Sequence, residues 1–149
     1  MLETISYWND CIELIKTHNS KNTQYEYANG CLKTQYITNW TKAPLIKNIY
    51  DKYVEKFNVY DPQIFATLGK SNGIGEHTDP DNVIILVLEG NMSYKIKDKM
   101  INMNKDETIY IPANEKHEPF SNLTPRICLS MATPLNLKRT DVTYYYNDI

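Results

Sequence analysis

The sequence predicts a mainly β, single-domain protein in which two amphipathic helices precede an antiparallel sandwich or barrel. Two stretches in the first 61 residues have apolar side chains at helical spacing. From Pro62 onward, six short apolar or alternating segments are separated by turns, which is typical of antiparallel sheets. The 149 residues contain no Ser/Gly-rich or Pro-rich linker. We therefore expect one domain, with a helical part at 1–61, a β core at 62–134 and a tail at 135–149.

Both helices are predicted from the spacing of large apolar side chains. Between Thr4 and His18 these recur every three or four positions, with charged residues between them, which indicates one amphipathic helix. The segment Thr41–Phe57 carries its large apolar residues on one side and lysines on the other, so a second helix is expected to pack on the sheet. The polar segment between the helices predicts irregular chain with one short strand around Leu32–Ile37.

The β core is predicted to contain six strands, joined by turns. The segments are Ile64–Leu68, Val83–Leu88, Ser93–Ile96, Met100–Met103, Thr108–Ile111 and Arg126–Ala132. Lys97, Asp98 and Lys99 lie between two of these segments and predict a hairpin turn. The tail from Asp141 is polar and tyrosine-rich, which is compatible with an edge strand or with a docked extension.

Composition argues against several classes of partner. The formal net charge is −2 and no basic block is present, so nucleic acid is not indicated as a partner. No apolar run approaches the roughly 20 residues that cross a bilayer, and the N-terminus lacks the layout of a secretory signal. We therefore expect a soluble, cytoplasmic protein that does not bind membranes. The three cysteines are widely spaced and form no CxxC pair, which argues against a disulfide framework and a structural zinc site.

Three side chains predict a metal site. His77 and Asp79 are two positions apart, so in an extended strand they point to the same face. His117 follows a predicted strand and a turn, and a sheet that closes on itself would bring it to the other two. Two histidines and one carboxylate on one face of a metal leave open positions, as in non-haem Fe(II) oxygenases. By itself, the His-x-Asp pair could also be a turn cap.

The segment from Asp106 to His117 resembles the second sequence motif of the cupin superfamily. Asp106 and Asn114 stand at positions where glycine is usual. Both residue types tolerate the left-handed backbone conformation that such turns require. The resemblance to cupins covers about residues 64–132.

The stretch from Gly75 through Asp79 to Gly90 resembles the first cupin motif. It has the form found in Jumonji-like and related Fe(II)/2-oxoglutarate-dependent oxygenases, in which His-x-Asp replaces the ligands of ordinary cupins. The resemblance implies a double-stranded β-helix, or jelly roll, that encloses the metal. It also implies His77, Asp79 and His117 as ligands of Fe(II), and 2-oxoglutarate as co-substrate.

The implied activity is hydroxylation of an aliphatic C–H bond in a small molecule or a protein side chain. Two alternatives stay open. One is a metal-binding cupin dioxygenase or isomerase that uses no 2-oxoglutarate, and the other is a non-catalytic cupin that binds a ligand. The chain could also be a minimal core that is completed by homodimerisation.

A 2-oxoglutarate enzyme also needs a cation for the distal carboxylate of the co-substrate, and arginine meets this need best. Arg126 is the first candidate. If residues 121–125 formed a turn of two or four residues, the strands around His117 and Cys128 would pair. Arg126 would then lie roughly 7–8 Å from His117 on the same face. A three-residue turn would instead place Arg126 on the opposite face of the sheet from His117.

Four further residues are predicted to assist at the site. Arg126 resembles the arginine of an Arg-x-Ser element, with Cys128 at the serine position and Ser130 two residues later. In Jumonji-like members the cation is a lysine or arginine a few residues after the position of Gly90. The best-matched positions here are Met92 and Ser93, and Lys95, which lies further along, is the second candidate for the cation. Its alternation with apolar neighbours favours a solvent-facing side chain. Two other side chains could add hydrogen bonds in the cavity, namely Asn82 and Tyr94, although a turn and a core position are alternative roles for them.

Overall fold

Residues 4–19, 30–69, 75–121 and 124–149 are described by a computed structural model. Within these residues the chain forms two α-helices, nine strands and two short 3₁₀ helices. The helices are α1 (Trp8–Thr17) and α2 (Pro44–Phe57). The strands are β1 (Leu32–Lys33), β2 (Tyr60–Thr67), β3 (Asn82–Glu89), β4 (Asn91–Ile96), β5 (Lys99–Asn104), β6 (Thr108–Ile111), β7 (Glu118–Ser121), β8 (Arg126–Thr133) and β9 (Tyr144–Tyr145). The 3₁₀ helices are Arg139–Asp141 and Tyr146–Asp148.

Both predicted helices are confirmed, and a buried carboxylate joins them. Oδ2 of Asp10 in α1 accepts hydrogen bonds from the backbone N–H groups of Leu45, at 2.8 Å, and Ile46, at 3.1 Å. These groups belong to the first turn of α2, which has no partner of its own for them. Pro44 stands at the first turn of α2, and Asn58 ends the helix with a φ of 54°. The carboxylate therefore fixes α1 to the start of α2.

The strands form two separate sheets. The larger sheet has the order β1-β2-β8-β3-β6-β9, and the smaller has the order β5-β4-β7. Neighbouring strands are antiparallel, except that β9 runs parallel to β6. The predicted mainly β architecture with two helices is confirmed. The described strands do not close into one barrel, so the double-stranded β-helix stays a prediction.

The larger sheet is covered on both faces, which explains the uninterrupted apolar run of β3. Ile84, Leu86 and Leu88 belong to the core under the helices. Val83 and Ile85 belong to a second core between the two sheets. A strand that is buried on both faces loses the alternation of a half-exposed strand.

The six predicted strands are confirmed: β6 has the predicted bounds, four others are longer by one or two residues, and β2 begins four residues earlier than predicted and ends at Thr67 rather than at Leu68. The turn between β4 and β5 contains Lys97 and Asp98 at φ values of 52° and 64°, as expected of a two-residue hairpin. The tail supplies an edge strand, because β9 pairs with β6. Strand β7 was not predicted. In the part of the chain that the structure describes, neither helix is long and apolar enough to span a membrane.

Candidate metal centre and its cavity

His77 and His117 are brought together by an isolated antiparallel bridge. The backbone N–H of each histidine donates to the carbonyl oxygen of the other at 3.0 Å. The carbonyl oxygen of Asp79 accepts from the N–H of Asn114 at 2.8 Å. Backbone hydrogen bonds therefore join the two predicted motifs without the help of a metal.

The turns that lead to His117 have the predicted conformation. Asp106 and Asn114 adopt φ values of 73° and 65°, in the left-handed region that glycine occupies most easily. Both residues thus take the place of glycine in their turns, as the sequence predicts.

The three predicted ligand side chains point at one another. Nε2 of His117 lies 3.1 Å from Oδ2 of Asp79, and Nε2 of His77 lies 3.9 Å from the same oxygen. One ligand atom from each of the three residues lies within 4.8 Å of the others. Metal bonds of roughly 2.1 Å at right angles hold ligand atoms about 3.0 Å apart. The Asp79 and His117 ligand atoms already have this spacing. His77 would have to move about 1–2 Å closer to the other two residues.

Hydrogen bonds to backbone carbonyls orient both imidazole rings. Nδ1 of His77 lies 2.8 Å from the carbonyl oxygen of Gly75, and Nδ1 of His117 lies 2.9 Å from that of Glu115. A carbonyl oxygen only accepts, so each Nδ1 carries a proton. A metal would therefore be held by Nε2 of each ring, the atom directed at Asp79, once that nitrogen carries no proton. Two such nitrogens and one carboxylate suit a divalent transition metal.

Asp79 provides the negative charge of the site. Burial raises the pKa of Asp79, but the hydrogen bond from His117 and the charges of His117 and His77 outweigh burial and lower the pKa below its usual value. The carboxylate is therefore ionised at neutral pH. His117 is buried, whereas the side chains of His77 and Asp79 are partly exposed, so the centre is open on one side.

A cavity of about 330 Å³ lies beside the three residues, between the two sheets. Apart from the three ligands, its polar and charged lining includes Lys33, Gln63, Arg126 and Ser130. Its apolar and aromatic lining includes Phe65, Ile85, Tyr94 and Pro119. Strands of both sheets thus line one cavity that includes the candidate metal centre and is open on one side.

Arg126 is a buried cation in the cavity wall, with 2% of its surface exposed. Its Nη1 lies 3.3 Å from Sδ of Met92 and 3.5 Å from Sγ of Cys128. Among the described residues, its Nε has no hydrogen-bond partner and the side chain forms no ion pair with a carboxylate. Burial raises the pKa values of Cys128 and Tyr94, so both groups are uncharged at neutral pH and supply no counter-ion. An arginine side chain keeps its proton in proteins, so the guanidinium is charged and lacks a described counter-ion.

The predicted reason for the position of Arg126 was wrong. The strands around His117 and Cys128 do not pair, because β8 pairs with β2 and β3, whereas β7 pairs with β4. Strand β7 belongs to the smaller sheet and β8 to the larger one. Arg126 therefore approaches the cavity from the larger sheet, whereas His117 directly precedes a strand of the smaller one.

Of the assisting residues, Ser130 and Tyr94 line the cavity. The ring of Tyr94 meets that of His117 edge-on, with 5.9 Å between centroids. Burial raises the pKa of Tyr94 well above its ordinary value, so its phenol is neutral.

Lys95 and Asn82 are not among the described residues of the cavity wall. Lys95 is exposed in a separate surface cleft beside Lys97 and Glu76. The side chain of Asn82 accepts from the N–H of Ala113 at 2.9 Å and donates to the carbonyl of Leu135 at 3.2 Å. The structure thus places Lys95 on the solvent side of β4, and Asn82 in the support of the loop before His117.

Sequence reasoning missed the contribution of β1 and β2 to the cavity. Gln63 and Phe65 alternate with buried Ile64 and Ala66 along β2, so the alternation itself could have identified them. Lys33 lies on β1, whose two residues pair with β2. Nothing in a two-residue strand signals this pairing.

Comparisons with known proteins support the resemblance of this chain to the cupin superfamily. Residues 64–130 match the family described as Cupin domain. A cupin superfamily protein from Desulfitobacterium hafniense is similar in structure, with a TM-score of 0.51, 13% identity and coverage of 70% of this chain and 78% of that one. A protein of unknown function from Rhizobium leguminosarum gives a TM-score of 0.52 and 10% identity over 91% of this chain and 99% of that one. At such low identities the likeness shows the fold alone. No curated protein matches the chain.

Proposed function

We propose that this chain, which carries a cupin domain at residues 64–130, is an Fe(II)- and 2-oxoglutarate-dependent oxygenase that hydroxylates a C–H bond. The observation that supports the proposal is the convergence of two features on one cavity. The first is the group formed by His77, Asp79 and His117. The second is the buried guanidinium of Arg126, which lacks a described counter-ion.

His77, Asp79 and His117 would hold the metal, and their donor atoms fit Fe(II). With Fe(II) and 2-oxoglutarate bound, dioxygen would be the oxidant: one oxygen atom would enter the substrate C–H bond, and the other would enter succinate as 2-oxoglutarate loses CO2. The contribution of the three side chains is to occupy one side of the metal only. Because His77 and Asp79 are partly exposed towards the cavity, the remaining positions stay accessible to a chelating co-substrate.

Arg126 would bind the distal carboxylate of 2-oxoglutarate. A guanidinium forms two parallel hydrogen bonds with a carboxylate, which fixes the orientation of the ligand as well as its position. Arg126 approaches from the larger sheet and His117 precedes β7 of the smaller sheet. A ligand held by both the metal and Arg126 would therefore span the space between the sheets.

The cavity limits the part of the substrate that reaches the iron. A volume of about 330 Å³ is at the small end of the range of roughly 300–1,000 Å³ for ligand sites. Phe65, Ile85 and Pro119 supply apolar wall and would exclude water from the reacting atoms. A compact molecule or the tip of a protein side chain fits this space together with the co-substrate.

Anaerobic metal titration tests the ligand assignment. Wild-type protein should bind one Fe(II), and His117→Ala should lose it. His18→Gln is the matched control because the Nε2 atom of His18 accepts from the N–H of Thr38 at 3.3 Å, away from the cavity. Unchanged iron content in His117→Ala would contradict the assignment.

Calorimetry with 2-oxoglutarate then tests the co-substrate. Protein loaded with redox-inert Mn(II) should bind 2-oxoglutarate, and the metal-free protein should bind it much more weakly. Metal binding without 2-oxoglutarate binding would favour a cupin that holds its substrate directly on the metal. Absence of metal binding would favour a non-catalytic ligand-binding cupin.

A further inference from the structure

We infer that Tyr146, in the tail of the chain, is a positioning residue for His117 and thereby for the candidate metal centre. Its hydroxyl donates to the backbone immediately before His117. The inference rests on the ligand assignment within the proposed function, but it does not require 2-oxoglutarate. Tyr146 lies outside residues 64–130, which match the cupin domain, so this support comes from a part of the chain beyond that match.

The tail connects an outer strand of each sheet. Its strand β9 pairs with β6 of the larger sheet. The hydroxyl of Tyr144 on β9 donates to the carbonyl oxygen of Asn102, on β5 of the smaller sheet, at 3.0 Å. Tyr146 starts the second 3₁₀ helix, and its side chain belongs to the core between the sheets. Ile85 and Tyr94 of the cavity wall belong to the same core. The tail therefore carries Tyr146 into the layer that contains the cavity.

The ring of Tyr146 is held in place from two directions. Tyr146 is 4% exposed, so close packing restricts the movement of its ring. Nζ of Lys97 lies 4.5 Å from the ring centroid and donates to the carbonyl oxygen of Tyr146 at 3.3 Å. A cation over an aromatic face is attracted by the negative charge of that face. The hydroxyl is therefore presented from a fixed base.

The hydroxyl of Tyr146 reaches the two residues that precede His117. It donates to the carbonyl oxygen of Lys116 at 3.5 Å. Burial raises the pKa of Tyr146, and a hydrogen bond to the carboxylate of Glu115 raises it further, so the phenol keeps its proton at neutral pH. Both acceptors of this proton lie on the same short segment. Tyr146 thus ties the segment to the core between the sheets.

The same segment orients the imidazole ring of His117. Nδ1 of His117 donates to the carbonyl oxygen of Glu115 at 2.9 Å. The carbonyl groups on both sides of the Lys116 Cα are therefore engaged, one by the ring of His117 and the other by Tyr146. Groups that hold the far nitrogen of a metal-binding histidine fix the direction of its ring. Loss of the Tyr146 hydroxyl would loosen the segment and let Nε2 of His117 turn away from Asp79.

Two matched variants test this role. Tyr146→Phe and Tyr144→Phe each remove one hydroxyl of the tail that donates to a backbone carbonyl. The acceptor of Tyr144 lies on β5, away from the metal ligands, so Tyr144→Phe is the control. Binding of Mn(II), followed by the paramagnetic resonance signal of the free ion, should be roughly 3- to 30-fold weaker in Tyr146→Phe. Tyr144→Phe should bind Mn(II) like wild type.

Amide hydrogen exchange of the metal-free protein measures the positioning of His117 without a metal. The N–H groups of Asn114 and His117 donate to carbonyl oxygens within residues 77–79. Both should exchange at least about threefold faster in Tyr146→Phe, and at the wild-type rate in Tyr144→Phe. Exchange and Mn(II) affinity equal to wild type in Tyr146→Phe would overturn the inference. Equal losses in both variants would also overturn it, because the tail would then act through general stability alone.

Binding of 2-oxoglutarate to the Mn(II)-loaded wild type separates this inference from the proposed function. If Tyr146→Phe alone loses Mn(II) affinity and wild type binds no 2-oxoglutarate, the positioning role holds and the proposed co-substrate is wrong. If wild type binds 2-oxoglutarate only with metal and Tyr146→Phe equals it in Mn(II) affinity and in exchange, the proposed function holds and the positioning role is wrong. If wild type binds no Mn(II) while exchange is faster in Tyr146→Phe alone, Tyr146 positions His117 and the ligand assignment is wrong.

Discussion

Replacement of Arg126 by methionine should stabilise the ligand-free protein while it weakens co-substrate binding. Arg126 is 2% exposed, and its described polar contacts are to the sulfur atoms of Met92 and Cys128. A charge that is buried without a counter-ion costs several kcal/mol of folding free energy. Methionine has a similar length, packs well beside other sulfur atoms and carries no charge.

The size of the effect follows from the same contacts. Replacing buried charges by apolar side chains of similar volume is neutral or stabilising by about 1–4 kcal/mol. Because the cavity beside Arg126 can admit water, we expect about 1–3 kcal/mol, or a rise in melting temperature of roughly 2–10 °C. Loss of the charged hydrogen bonds should weaken 2-oxoglutarate binding roughly 10- to 150-fold.

Thermal unfolding of the metal-free protein and calorimetry of the Mn(II)-loaded protein measure the two effects. Arg139→Met is the control, because Arg139 is 74% exposed and forms a surface ion pair with Asp148; it should change neither quantity. A melting temperature that falls by more than about 5 °C in Arg126→Met would refute the reasoning. The guanidinium would then be a structural group rather than an unpaired cation that awaits a ligand.

Three other perturbations have defined outcomes. Gly90 has a φ of 72°, and in Gly90→Ala the new Cβ would lie 2.1 Å from the carbonyl oxygen of Pro125. Thermal unfolding should show that this variant loses at least about 2 kcal/mol of unfolding free energy. Gly69→Ala is the control: nothing lies within 4 Å of its new Cβ, so it should lose less than about 0.5 kcal/mol. The pKa of Asp79 is lowered in the folded state, so its ionised carboxylate stabilises the fold above the unfolded pKa of about 3.9, and this contribution is lost as pH falls through the folded value. The difference in unfolding free energy between metal-free wild type and Asp79→Asn should therefore narrow from about pH 4 to pH 2. A difference that stays constant over this range would contradict the prediction. Burial raises the pKa of Cys11 to about 12, so mass spectrometry should find iodoacetamide on this thiol at pH 8 only after unfolding; labelling of the native protein would show that α1 does not protect it.

Local patterns in the sequence were sufficient for most elements and for the three residues of the candidate metal centre. The helices α1 and α2 have apolar stripes, and the six predicted strands lie between clear turn signals. The convergence of the three side chains was predictable because His77 and Asp79 are neighbours on one extended segment and because Asp106 and Asn114 replace glycine in recognisable turns. These features depend on residues that are close in sequence.

Features that depend on pairing between distant segments were not predictable. Strand β7 contains Pro119 and directly follows His117, and proline weakens the strand signal. The sheet to which β8 belongs depends on its contacts with β2 and β3, so the pairing proposed for Arg126 could not be checked in the sequence.

Anaerobic titration of 2-oxoglutarate into Fe(II)-loaded protein tests the central claim most directly. Chelation of iron by a 2-oxo acid produces a visible charge-transfer band. We predict a saturable band that Asp79→Ala abolishes and that Arg126→Met shifts to higher 2-oxoglutarate concentration. Stoichiometric iron binding without any band at saturating 2-oxoglutarate would contradict the proposed function.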